Sequence, residues 1–229
     1  MALKLDFISM KQRFTQSEFF QRSIHPFLAK FPGYDYYLLR RKSYLKETGW
    51  FKSFKKTRSI DARNNPVPWF TYNAIGFLKE RLPENLMVFE YGCGYGTLWW
   101  ADRSKKLFAV EHDEKWLASI TRNSPPHVII ELRPIDSSYS GYISETGTLF
   151  DVIIIDGKER NEAVKISPEY LSEKGIIIFD DTNMEMFKEG VQTLKEAGFR
   201  QLPFRGFSPI DFLPCETSIF YRDQNLLGI

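Results

Sequence analysis

The sequence predicts an α/β chain: a seven-stranded, mostly parallel, doubly wound sheet with an antiparallel last strand, preceded by an N-terminal helical extension. Three observations predict it. From residue 86 onward, short β-rich runs alternate with stretches of helical period. The first five runs are nearly continuous in apolar character, as strands buried on both faces are. The last two runs are separated only by "SPIDFLPC", too short for a helical crossover, so they form an antiparallel pair at one edge.

The elements follow in order. Residues 1–64 form a helical, irregular extension containing "SEFFQRSIHPFLAKF" and "YDYYLLRRKSYLKETGWFKSFKKTR". Residues 65–229 form the sheet domain. "NPVPWFTYNAIGFL" (65–78) enters a helix, with Pro68 suited to its first turn. The strands are "LMVFE" (86–90), "LFAVE" (107–111), "HVIIE" (127–131), "FDVIIID" (150–156) and "GIIIF" (175–179). The tail adds "FRQLPFRGF" and "ETSIFYR". Helices follow the first strand at "TLWWADRS", the second at "DEKWLASITRN", where Asp113 can cap the first turn, and the fifth at "NMEMFKEGVQTLKEAGF". "RNEAVKISPEYLSEKG" is helical up to a break at Pro168 and ends on Gly175, suited to a C-cap. Strand, helix, strand, repeated, requires right-handed crossovers with helices on both faces.

Bulk properties bound the function. A chain of 229 residues, 43% hydrophobic and with net charge +2, suits one domain with an added segment. The charge balance as a whole points to neither nucleic acid nor membrane. Two cysteines, Cys93 and Cys215, have no metal-ligand spacing, which favours a reducing, cytoplasmic compartment. No run has the length of a membrane span, and "MALKLDFISMKQRF" lacks a signal-peptide core.

The loop "EYGCGYGT" places Gly92, Gly94 and Gly96 where the first strand hands over to its helix. In an open α/β sheet ligands sit outside the carboxyl ends of the strands. Glycines there let a ligand lie against the backbone, near helix N-terminal amides. Glu111 ends the next strand about 20 residues on, the spacing of a carboxylate that binds ribose hydroxyls. The G-x-G-x-G spacing is not that of dinucleotide sites, and no G-K-[ST] follows for a P-loop. Glu90 would disfavour a pyrophosphate and favour the ammonium of S-adenosylmethionine. The other reading of this loop is a tight turn beside a solvated strand end. Cys93, inside the loop, reads as small filler rather than a reactive thiol.

On "VFEYGCGYGT" and "AVEHD", residues 68–222 resemble the class I S-adenosylmethionine-dependent methyltransferases. The resemblance implies a Rossmann-like fold and S-adenosylmethionine as cofactor. It implies binding by Glu90, Gly92, Gly94, Gly96, Thr97, Glu111 and His112. Asp136, in "RPIDSSYSGYI", is the first choice to read the adenine, with a surface turn as the alternative. Tyr72, with Trp69 and Phe70, would roof the cofactor, with core packing as the alternative.

Acceptor chemistry belongs at the ends of strands four and five, in "IIIDGKERN" and "IIFDDTN". Asp156, Asp180 and Asp181 would share one rim, with Lys158, Arg160 and Asn183 close behind. Three carboxylates together need positive charge among them, and Mg²⁺ takes oxygen ligands. The pattern resembles metal-dependent O-methyltransferases of the catechol and macrolide-sugar types, although "DGKER" is not their usual sequence. The resemblance implies Asp156, Asp180 and Asp181 as metal ligands. The alternative is a helix-capping aspartate, with Lys158 or Arg160 pairing the remaining acids. With or without metal, Asp156 is the expected general base and Lys158 its catalytic neighbour.

Residues 40–58 hold eight Lys/Arg and one acid, Glu47, interleaved with aromatics. A solvated face, an acceptor-binding lid, an anionic membrane surface and RNA all fit that pattern. No RNA-binding module is recognisable. The expected activity is O-methylation of a sugar, glycan or other small hydroxylated acceptor. The alternatives are N-methylation on the same fold, or a non-catalytic cofactor-binding protein whose basic arm binds RNA or membrane.

Overall fold

The computed structural model describes residues 17–229. Seven strands form one sheet: β1 (Leu86–Tyr91), β2 (Ser104–Glu111), β3 (Val128–Leu132), β4 (Phe150–Ile155), β5 (Leu171–Asp180), β6 (Arg200–Gly206) and β7 (Cys215–Tyr221). Their order is β3-β2-β1-β4-β5-β7-β6. β7 is antiparallel to both its neighbours, and every other pairing is parallel. The expected architecture is therefore the observed one. Strand order reverses between β1 and β4, which opens a crevice at their carboxyl ends.

Period-two alternation distributes the core over both faces. Val88, Val152 and Ile154 point to one face, where α4 (Tyr72–Arg81), α5 (Tyr95–Ala101) and α6 (Glu114–Thr121) pack through Leu78, Trp100 and Ile120. Phe89, Ile153 and Ile155 point to the other, against Tyr139, Ala163 and Leu194. Those three residues lie on α7 (Ser137–Glu145), α8 (Arg160–Ile166) and α9 (Lys188–Glu196). Each fully buried Ile or Phe here contributes roughly 1.5–3 kcal/mol. Truncating Ile154, at zero exposure between β1 and β5, would cost about 2–5 kcal/mol. Pro203 lies in β6, an edge strand, where its missing N–H is tolerated.

Two local readings are corrected. The helix expected from 65–78 starts only at Tyr72, behind a Thr71 cap that accepts from Ala74 N, so Pro68 lies outside its first turn. Gly175 does not cap a helix. The helix stops at Ile166, a 3-10 turn spans Ser167–Tyr170, and Gly175 sits inside β5 at a register shift. There a Cβ would come within 2.9 Å of the Phe150 carbonyl oxygen. α7 was not legible in "SSYSGYISE", a serine-rich stretch. Its buried face, Tyr139, Tyr142 and Ile143, holds it in place.

The extension is helical, as its pattern predicts, in α1 (Tyr34–Lys42), α2 (Tyr44–Thr48) and α3 (Trp50–Lys56). Short helical turns cover Phe20–Ile24 and His25–Leu28. Its first 16 residues lie outside the described residues.

Candidate active site

The ends of β1 and β4 meet without side chains. A Cβ on Gly92, whose φ is +84°, would stand 2.8 Å from Gly157 Cα. One on Gly157 would meet Gly92 N at 2.7 Å and the Tyr139 hydroxyl. Gly92 and Gly157 each leave no room for a side chain on the other, and both also line the cavity beyond the strand ends. Gly96 is likewise packed, 3.3 Å from Pro68 and from Glu90. Of the three loop glycines, Gly94 alone would accept a Cβ without displacing a neighbour, in ordinary van der Waals contact with the Trp116 ring at 3.8 Å. All three glycines of the loop border one open space.

That space is a cavity of about 950 Å³ along the carboxyl ends of the strands. Two buried acids flank Gly94. Thr97 Oγ1 donates to Glu90 Oε2 at 2.5 Å and accepts from Gly94 N at 2.8 Å. Burial pushes the Glu90 carboxyl well above its ordinary range. The Thr97 bond opposes that shift, while the charges of Asp156 and Glu111 add to it. A cation in the cavity would relieve this cost. Glu111 accepts from Cys93 N at 3.0 Å, His112 N at 2.7 Å and Asp113 N at 2.9 Å. A carboxylate has about four acceptor positions, so one on Oε2 remains. His112 Nδ1 stands 2.8 Å from Glu111 Oε1.

Trp116 was not anticipated. Its indole N–H donates to the Cys93 carbonyl at 2.5 Å, and its ring is the nearest group to Gly94. Asp113 caps the helix start at Trp116 N, and three residues past that cap a side chain turns back over the preceding loop. Cys93 is buried, and burial pushes its thiol upward, which suits filler rather than a nucleophile.

Two expected cofactor residues lie elsewhere. Asp136 is exposed and accepts from Ser138 N at 2.8 Å and Ser138 Oγ at 2.6 Å. It caps α7 and does not line the cavity. Tyr72 is buried in the core beneath the extension, edge-on to Tyr44. Burial pushes its hydroxyl up to about 12. The two aromatics just before it, Trp69 and Phe70, do line the cavity.

At the ends of β4 and β5, Asp156, Asp180 and Asp181 converge with ligand atoms within 4.8 Å of one another. The positive charge among them is Arg160. Its Nη2 lies 3.0 Å from Asp156 Oδ1 and its Nη1 lies 3.1 Å from Asp181 Oδ2. The same guanidinium donates to the carbonyls of Asp156, Gly157 and Asp180. Thr217 Oγ1 donates to Asp180 Oδ1 at 2.5 Å. The repulsion that called for Mg²⁺ is thus met by a side chain, with one oxygen of each acid already committed. These residues do not fit a metal centre without displacing Arg160. Burial raises Asp156 to about 6, with Arg160 pulling it down and Asp181 pushing it up. Its side chain keeps 29% of its surface. Lys158 is exposed on the same rim.

No protein-family model matches the sequence, and no curated protein matches it. Solved structures do. The precorrin-6Y C5,15-methyltransferase of Geobacter metallireducens GS-15 superposes with a TM-score of 0.52 at 15% identity, over 66% of this chain and 87% of that one. This chain has the Rossmann-like methyltransferase fold. Two others have TM-scores of 0.49 at 15% identity. The N-methyltransferase NodS from Bradyrhizobium japonicum WM9, in complex with S-adenosylhomocysteine, matches over 76% of this chain and 99% of that one. A methyltransferase from Pyrococcus furiosus matches over 80% and 100%. At such identity the shared property is the fold, and function has to be argued from the site.

Proposed function

We propose that the chain is an S-adenosylmethionine-dependent methyltransferase acting on a hydroxyl of a small acceptor, a sugar or glycan being the leading class. The observation that carries this reading is the pair of buried acids, Glu90 and Glu111, held against the glycine loop where it borders the cavity. Glu90 is an acid whose charge is costly without a cation beside it, which matches an ammonium group. Glu111 keeps one acceptor for a ribose hydroxyl. Gly94, Thr97, His112 and Trp116 would shape the remaining contacts.

Bound S-adenosylmethionine would supply an electrophilic methyl and a neutral thioether leaving group. The protein supplies alignment and a base. A group titrating near 6 is mostly ionised at neutral pH and still basic enough to take a proton. Arg160 holds Asp156 Oδ1, which leaves Oδ2 for the acceptor's proton. Exposed Lys158 would bring positive charge to the oxygen as that proton leaves. In the same proposal, residues 1–64 are an added segment whose last residues wall the cavity, and residues 65–229 are the catalytic domain. Thr57, Arg58 and Ser59 of the segment line the cavity, which supports that division. The acid-rich rim also suits a protonated amine, and N-methylation is the second reading.

The test is calorimetry with S-adenosylhomocysteine, followed by turnover on paired hydroxyl and amine acceptors. Micromolar binding with methyl transfer to hydroxyls supports the proposal. Transfer to amines alone selects the second reading, and no binding of the nucleoside overturns both.

A further inference from the structure

We propose that residues 17–58 form a docking surface for a membrane that carries anionic lipids. The helical segments from Phe20 to Thr48 contain no buried residue. A globular helix normally turns an apolar stripe inward. Here Phe27 and Tyr36 are 61% and 60% exposed, and Phe31, Tyr37, Leu39 and Tyr44 are exposed with them. Exposed aromatics in this number, gathered in one segment of about 20 residues, mark a surface that needs cover.

Charge decides what covers it. Residues 17–58 hold ten Lys/Arg against three Asp/Glu, while residues 59–229 hold 18 against 25. The near-neutral total conceals a cationic arm on an anionic body. Arg40 lies over the rings of Tyr36 and Phe51, at 5.7 and 4.7 Å, so cations and aromatics share one surface. Tyrosine rings suit the headgroup level of a bilayer, and each cation beside them adds attraction to an anionic leaflet. The acidic body would be repelled, which orients the arm toward the lipid. A symmetric pair of these arms would instead set cation against cation. No helix among the described residues is long and apolar enough to cross a membrane, so attachment would be peripheral. Arg58 lines the cavity, so the docked face adjoins its edge.

The full chain should co-sediment with vesicles of phosphatidylcholine containing about a third phosphatidylserine, and not with phosphatidylcholine alone. Binding should weaken as salt rises. Joint reversal of Arg41, Lys42, Lys46 and Lys55 to Glu should lower it at least about tenfold. The pair Phe27→Ser and Tyr36→Ser should lower it with the charges intact. Unchanged S-adenosylhomocysteine binding, or unchanged thermal unfolding if the wild type binds none, shows that each variant is folded. The proposal is overturned if anionic vesicles are ignored, or if binding is indifferent to the aromatic pair. Homopolymeric RNA or a second copy of the chain binding through these residues, with vesicles ignored, overturns it equally.

Discussion

The indole N–H of Trp50 donates to the backbone carbonyl of Asp211, 2.7 Å away and 161 positions along the chain. Trp69 donates to the Asp211 carboxylate at 2.6 Å, and Ser208 Oγ to the same oxygen at 2.5 Å. The N-terminal extension is thereby tied to the β6–β7 loop, whose Ile210, Leu213 and Pro214 wall the cavity. We predict that Trp50→Phe, which keeps the ring against Phe54, costs about 0.5–1.5 kcal/mol. It should raise the acceptor KM while leaving S-adenosylhomocysteine affinity alone. Urea denaturation and steady-state kinetics check both halves. A variant with wild-type stability and KM would show that the tie holds nothing.

The glycines should separate by function. In Gly157→Ala, backbone atoms of Gly92 and Tyr91 would sit 2.7 and 2.8 Å from the new Cβ, and backbone cannot yield cheaply. The expected loss is about 1–3 kcal/mol of stability. Gly94→Val should melt near wild type and lose cofactor affinity by tenfold or more, about 1.4 kcal/mol. Equal melting of the two variants would contradict the contrast between crowded Gly157 and uncrowded Gly94.

Glu90→Gln tests the ammonium site. The isostere keeps a partner for Thr97 and discards the charge, so affinity for S-adenosylhomocysteine should drop about tenfold to a hundredfold. The ionised form binds the cation, so wild-type affinity should climb with pH through the raised Glu90 titration, and the variant should lose that slope. Stability runs the other way. An acid whose folded pKa is raised contributes stability at low pH, lost as pH rises from its unfolded value of about 4.3 through its folded one. Glu90→Gln should flatten that decline. Calorimetry and melting across a pH series would expose a wrong assignment as a slope that survives the mutation.

What could be read in advance follows from which forces are local. Strands β1, β4 and β5 were legible because burial on both faces leaves an uninterrupted apolar run. α7 was not, because serines and a glycine hide a face that only packing by Tyr139 and Ile143 defines. Tyr72 was misplaced for a related reason. The run from Trp69 to Tyr72 shows aromatic content but not direction, and at the start of α4 the chain turns Tyr72 inward. The acids at the strand ends were found because strand ends define a rim. Their compensation by Arg160 is, from the sequence, one alternative beside a metal. Charge alone does not reveal that one guanidinium reaches Asp156 and Asp181 together.

If Asp156 is the base, kcat/KM should rise with pH through about 6, the limb belonging to the coupled acids rather than to one residue. Asp156→Asn should lower kcat by about 10²–10⁴ with little change in cofactor affinity. Arg160 pulls Asp156 down, so Arg160→Gln should move the acidic limb to higher pH. It should also destabilise the fold by about 3–5 kcal/mol, since it leaves Asp156 and Asp181 together without a cation. Because Arg160 already supplies the positive charge, EDTA should leave wild-type turnover unchanged. Turnover that disappears on chelation and returns with Mg²⁺ would mean that the guanidinium yields its place to a metal during catalysis. A limb that stays at the same pH in Arg160→Gln would mean that the base is not Asp156.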